Sequence, residues 1–215
     1  MNLNLTFKNV LLFFLGIGWM YFTFLMIGIT LEYFPISSEV AFLAIKQDEV
    51  QNVKGYLPIF YIHVIFSLLV LLFGFIQILP IGRIIRKSIH RSSGYLYVVL
   101  VLLFSAPSGL FIGYYANGGI LAKIAFEILG LLWFFYTVRA MYRIKIKNYK
   151  GHQFDMWRSY ALALSALTLR FWKVIIVYLF QPSPLDAYVI VAWLGWVLNL
   201  IIIESIIYYY KKINL

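Results

Sequence analysis

The chain has 215 residues, of which 63% are hydrophobic and 12% charged, with a net charge of +10 and no cysteine. Apolar runs of about 20 residues recur where helices of a soluble domain would show a polar face, which excludes an ordinary globular protein and reads as a polytopic membrane protein. The Lys and Arg surplus falls in short connectors, where membrane topology explains it without nucleic acid, and the missing thiols exclude disulfides, iron–sulfur clusters, cysteine nucleophiles and covalent c-type haem.

The first apolar segment, about Val10 to Leu31, follows Lys8 in the manner of a signal peptide. It is too long for the apolar core of one and no small-residue cleavage pattern follows, so it reads as a retained span. The connector Glu32 to Lys54 is long, and Ser37 to Ala44 could start a short interfacial helix. The second span, Tyr56 to Pro80, leads into a basic connector, Arg83-Ile84-Ile85-Arg86-Lys87-Ser88-Ile89-His90-Arg91. A third span, Gly94 to Tyr115, and a fourth, Ile120 to Tyr142, are joined by the tight turn Asn117-Gly118-Gly119. A second basic connector, Arg139 to Arg158, carries Arg143, Lys145, Lys147, Lys150 and His152. The fifth span, Met156 to Phe180, turns at Gln181-Pro182-Ser183-Pro184 into the sixth, Leu185 to Tyr208, and the chain ends beyond Lys211-Lys212.

Basic connectors alternate with neutral or mixed ones, so the consistent solution is an all-α bundle of six transmembrane helices. Both termini then lie in the cytoplasm, in one domain over residues 1–215. The expected location is the cell's inner (cytoplasmic) membrane, crossed several times. The expected surroundings are the lipid bilayer, with anionic lipid at the basic face. Tyrosines and tryptophans near the span ends read as interfacial belts, and glycines within the spans as sites of close helix approach.

Ionisable residues inside apolar runs are costly and are therefore the best functional pointers in such a chain. His63 and Glu127 each fall seven residues into a descending helix, about 10 Å below the outer surface at about 1.5 Å per residue. Arg170 and Ser108, on ascending helices, reach a similar height. His63, Ser108, Glu127 and Arg170 are thus candidates for one outer-half binding layer, with Glu127 and Arg170 offsetting each other's charge. Arg170 would clamp an anion and His63 would carry a proton or ligate iron. A bundle-locking ion pair is the plain structural reading of the same residues.

An inner layer holds His90, Arg91, His152 and Arg158, together with Gln77 and Glu204. His63 is about 25 Å away along its helix. With three histidines in the chain, at most one six-coordinate haem b is conceivable. His90 and His152 would ligate its iron and Arg91 or Arg158 would meet its propionates. The alternative is that these histidines bond backbone at helix starts while the arginines meet lipid phosphate.

The ordered set His63, Gly74-Phe75-x-Gln77, Arg83, His90-Arg91-x-x-Gly94-x-x-Tyr97, Ser108-Gly109, His152, Met156-x-Arg158-Ser159-Tyr160-Ala161 and Thr168-Leu169-Arg170 resembles the bacterial membrane-protein family called domain of unknown function 2306. The resemblance runs from about Tyr56 to Arg170 and implies six or so helices with no established activity. One departure is Gln153, where relatives often carry Arg directly after the last histidine. The His-Arg-x-x-Gly element also looks like elements of membrane b-type cytochromes, by analogy alone.

Three functional readings follow. One is an electron-transfer protein with a single b-type haem, quinone-linked near the cytoplasmic face. A second is a transporter or small-molecule-binding protein built on the outer layer. The third is a non-catalytic subunit or assembly factor of a membrane complex. No phosphate-cradling glycine loop, zinc-type His-Glu-x-x-His or nucleophile elbow occurs in the sequence, so no particular reaction is indicated.

Overall fold

The structure, a computed structural model, describes residues 3–79 and 86–213. Arg83, part of the first basic connector, lies outside these residues. The described chain is helical almost throughout, as expected where lipid leaves no water to satisfy free N–H and C=O groups. Helix α1 spans Leu3–Leu31, a 3-10 turn covers Ala41–Ile45, and a short α2 covers Gln47–Asn52. Helix α3 runs over Tyr56–Ile78 and α4 over Lys87–Val99. A π-helical segment, Leu100–Ser105, carries α4 into α5, Ala106–Tyr114. Then come α6, Gly119–Lys145; α7, Tyr149–Ala163; α8, Ser165–Phe180; and α9, Pro184–Ile213.

Among the described residues four continuous stretches are long and apolar enough to cross a membrane: α3, α4 to α5, α6 and α9. The α7–α8 pair, bent by 44°, is apolar and long enough to be a fifth when its two helices are taken as one span. The basic connectors are shorter than their composition suggested, because helix extends into them. Lys87 to Ser93 belongs to α4, Arg143 and Lys145 close α6, and α7 starts at Tyr149 rather than Met156. Cations in the last turn of α6 favour this extension, since they face the negative end of the helix dipole.

A fifth span running straight from Met156 to Phe180 is not what forms. The helix breaks at Leu164, where a side chain takes the Ala161 carbonyl and the Leu164 carbonyl, which keeps the Thr168 N–H at 3.0 Å, gains a second, side-chain donor. Asn199 Nδ2 donates to the Ala161 carbonyl at 2.9 Å, and Thr168 Oγ1 lies 3.1 Å from the Leu164 carbonyl. Side-chain capture of backbone acceptors is an ordinary cause of helix bending. In the π segment, the Ala106 N–H reaches back five residues to the Val101 carbonyl. Pro107, next in line, has no N–H to offer Leu103.

Turn chemistry sets the hairpins. Gly118 (φ +83°) and Gly119 (φ +72°) occupy left-handed backbone between α5 and α6, and Gln181 (φ +46°) ends α8 before Pro182. Helix α6 packs along α7 and α8 along α9. The core between the helices holds Leu71, Tyr97, Trp133, Tyr160, Leu162 and Trp196.

Candidate functional site

Two polar regions lie at opposite ends of the bundle. One is at the end bearing Lys46 and the Gly118 turn, here the loop end. The other is at the end where the basic connectors fold, the basic end.

At the loop end a cavity of about 420 Å³ is enclosed by α1, α3, α5, α6, α9 and the bend between α7 and α8. Its wall is mainly apolar and aromatic. Its charged and polar lining includes Lys46, His63, Ser67, Ser165, Arg170 and Lys173. His63 is held in one orientation: Nδ1 sits 3.1 Å from the Ser105 carbonyl, 3.2 Å from Ser108 Oγ and 3.5 Å from Ser67 Oγ. A carbonyl can only accept, so Nδ1 carries the proton. Among the described residues Nε2 has no hydrogen-bond partner and it is not sealed off, so in the neutral ring its lone pair is available to the cavity. The backbone makes room for this ring at Gly109, where a Cβ would come within 3.0 Å of His63 Cε1.

Arg170 enters the cavity from α8. Its Nη1 donates to the Ala166 carbonyl of its own helix, and no carboxylate among the described residues pairs with it. The rest of the guanidinium fork has no hydrogen-bond partner among the described residues. Lys46 is buried at the far wall, where Nζ donates to the Tyr115 carbonyl and pairs with Glu49 at 2.5 Å. The lining therefore carries three cations, and among the described residues Glu49 alone offsets one of them.

The expected mutual neutralisation of Glu127 and Arg170 does not form. Glu127 lies outside the cavity wall, its Oε1 buried without a partner beside Gly113, where a Cβ would approach it to 3.1 Å. Counting residues along a helix says nothing of rotation about α6. Of the four residues expected in this layer, the structure thus brings His63 and Ser108 into contact, sets Arg170 in the same cavity and turns Glu127 away. Lys46 and Ser67 escaped the sequence reading. The signal for Lys46 was the Lys46/Glu49 spacing of one helical turn in a loop otherwise poor in structure.

At the basic end the charges are paired. Asp155, 0% exposed, receives Arg139 through two bonds of 2.8 and 2.6 Å, Arg143 at 3.2 Å and Arg158 at 3.0 Å. Arg158 also forks onto Glu204 of α9 through Nε and Nη2. Both Arg139 and Arg158 lie over the Tyr136 ring, 4.9 and 5.5 Å from its centroid. Asp155 was missed because one acid inside a basic stretch looked like part of a loop.

His90 and His152 lie within electrostatic reach of each other. His152 Nδ1 bonds the Ala140 carbonyl at 2.9 Å, the anchoring that iron-ligating imidazoles use. His90 lacks such an anchor, its Nδ1 being buried without a partner, while Arg91 points to the exterior. The pair therefore fits a haem at one ligand of two. No cluster of three or more His, Asp or Glu able to hold a metal ion occurs among the described residues.

Between the two ends the motif residues meet as packing. Gly74 admits the Tyr160 ring, which a Cβ there would overlap at 2.2 Å, and Gly94 faces Gln77, whose Nε2 donates to Ser93 Oγ and the His90 carbonyl. Tyr97, Ser159 and Thr137 form a buried hydroxyl chain with contacts of 2.8 and 2.7 Å.

Neither a comparison with curated proteins nor one with solved structures finds a significant match. A family model described as a predicted membrane protein, DUF2306, matches residues 60–207, from the loop-end cavity through the Asp155 cluster to α9. The chain belongs to this family of predicted membrane proteins.

Proposed function

We propose that this protein binds a small anionic amphiphile in the loop-end cavity, as a transporter or small-molecule-binding protein of the membrane. The observation that carries the reading is Arg170, a guanidinium inside a mainly apolar cavity with no counter-anion among the described residues. A charge left so is expensive in a membrane interior, and an anionic headgroup offsets it. The apolar and aromatic remainder of the wall suits an alkyl or polyprenyl tail. This support is stronger than that for a subunit whose polar residues only specify packing, since packing roles call for paired charges.

The test is a titration of decanoate into the protein in lipid nanodiscs, against empty discs. Trp133 and Trp196 line the cavity and report its occupancy by their emission. Saturable binding that weakens at least about tenfold in Arg170→Leu is expected, the loss typical of a charge-assisted hydrogen bond. Unchanged affinity in that variant would remove the reading.

The same reading takes the chain as one domain of six spans, with α1 as the first, the basic end in the cytoplasm and the cavity in the outer half. Basic residues gather at one end in Lys87, Arg143, Lys145, Lys150 and Lys211, which supports that orientation. The chain has no cysteine, so single replacements Asn117→Cys and Lys150→Cys can be labelled cleanly in whole cells. The first should react with an impermeant reagent and the second should not.

A haem-based electron-transfer role has one supporting observation, the Ala140 anchor of His152. A visible spectrum of the detergent-solubilised protein tests it, since a reduced b-type haem band is diagnostic and a colourless preparation ends that reading.

A further inference from the structure

The cavity presents two different chemistries to a ligand headgroup, and together they narrow its class. Arg170 offers a planar fork of N–H donors and a positive charge, which suits an oxyanion bonded through two oxygens. His63 offers the opposite, an acceptor: with Nδ1–H committed to the Ser105 carbonyl, only the Nε2 lone pair is left for the ligand. The ring cannot trade these roles by flipping without losing that carbonyl bond, and the close packing at Gly109 holds it in place. A fully ionised carboxylate or sulfate has acceptors alone. It satisfies Arg170 but leaves Nε2 facing another lone pair, a repulsive contact in a place where water is scarce.

We infer that the headgroup bound in this cavity is a phosphate monoester that retains one acid proton, its O–H donated to His63 Nε2 and its remaining oxygens held by Arg170. The inference rests on the cavity reading above and names its ligand class. Phosphate chemistry of this kind is shared by free phosphate and by alkyl or prenyl phosphates. The apolar wall formed by residues such as Leu71, Leu129 and Trp196 favours a chain-bearing form.

The experiment compares decyl phosphate, decyl sulfate, decanoate and inorganic phosphate on the nanodisc-embedded protein near pH 6, where an alkyl phosphate, with a second pKa of about 6, keeps its proton about half the time. Decyl phosphate should bind about tenfold tighter than decyl sulfate, the worth of one hydrogen bond in a desolvated site. The advantage should vanish in His63→Phe while decyl sulfate affinity is retained, which also shows that the variant is folded. Equal affinity for decyl phosphate and decyl sulfate in the wild-type protein would overturn the inference, as would an advantage that survives in His63→Phe. Inorganic phosphate binding as tightly as decyl phosphate would support the headgroup and identify a soluble source. If no arm binds at all, the cavity reading itself fails, an outcome distinct from all chains binding equally.

Discussion

The two ends of the bundle handle buried charge in opposite ways. At the basic end Asp155 is completely enclosed, yet its two oxygens accept from Arg139 and Arg158 and pair with Arg143 at 3.2 Å. At the loop end Arg170 sits in a cavity where, among the described residues, its own helix carbonyl is its one hydrogen-bond partner. A paired charge stabilises a fold mainly by being dangerous to unpair, whereas an unpaired one is a cost carried for some other purpose. The same residue type, arginine, thus marks a joint at one end and an open binding position at the other.

That difference predicts opposite signs for removing a charge. Asp155→Ala leaves three guanidinium groups gathered around nothing, and should destabilise the protein by about 3–5 kcal/mol, read by thermal unfolding in detergent. Arg139 and Arg143 are 32% and 27% exposed and can recover some hydration, which sets the loss towards the lower part of that range. A change below about 1 kcal/mol would mean the cluster is no joint at all. Next in size is Gly74→Ala. Its new methyl group meets the Tyr160 ring at 2.2 Å, and Tyr160 in turn holds Trp19 at 3.0 Å and the Leu71 carbonyl at 3.1 Å. Overpacking of this kind costs about 1–3 kcal/mol, and it should be accompanied by loosening of α1, visible as faster proteolysis near Trp19.

Glu204→Gln should do much less, although Glu204 makes a two-pronged pair with Arg158. Its side chain is 47% exposed, and Arg158 keeps its bond to Asp155 when Glu204 is neutralised. A loss within about 1 kcal/mol is expected, as for pairs open to solvent. A loss comparable to that of Asp155→Ala would show that α9 is tied into the cluster rather than resting on it.

The sequence made class legible and left rotation and pairing hidden. Hydropathy announced a multi-span membrane protein because lipid penalises every unsatisfied backbone group, so long apolar helices have few alternatives. Depth could be counted, which is why His63 and Ser108 emerged at one level and do touch. Facing could not be counted. A few residues of ambiguity in register rotate a helix by a large fraction of a turn, and Glu127 fell on the side away from Arg170. The bend at Leu164 was equally out of reach, because the groups that cause it, Asn199 and Thr168, come from two different helices. Basic stretches were mistaken for loops, since charge density at a membrane surface looks the same whether the backbone is helical or not. Asp155 was the cost of that reading.

The smallest expected change in stability is also the most informative. Replacing Arg170 by Leu removes a charge that the protein itself does not neutralise, and replaces its long side chain with an apolar one in an apolar wall. Among the described residues the one hydrogen bond lost is to Ala166, a carbonyl on the same helix. In the ligand-free protein the unfolding temperature should therefore stay where it is or rise, in contrast to Asp155→Ala. With an anionic amphiphile present the order should reverse. The wild-type protein gains stability in proportion to the logarithm of ligand concentration over Kd, and the variant gains little. A crossing of the two curves as ligand is added is what an unpaired cation kept for binding must produce. Parallel curves, with Arg170→Leu lower throughout, would instead make Arg170 a second structural joint and erase the contrast between the two ends.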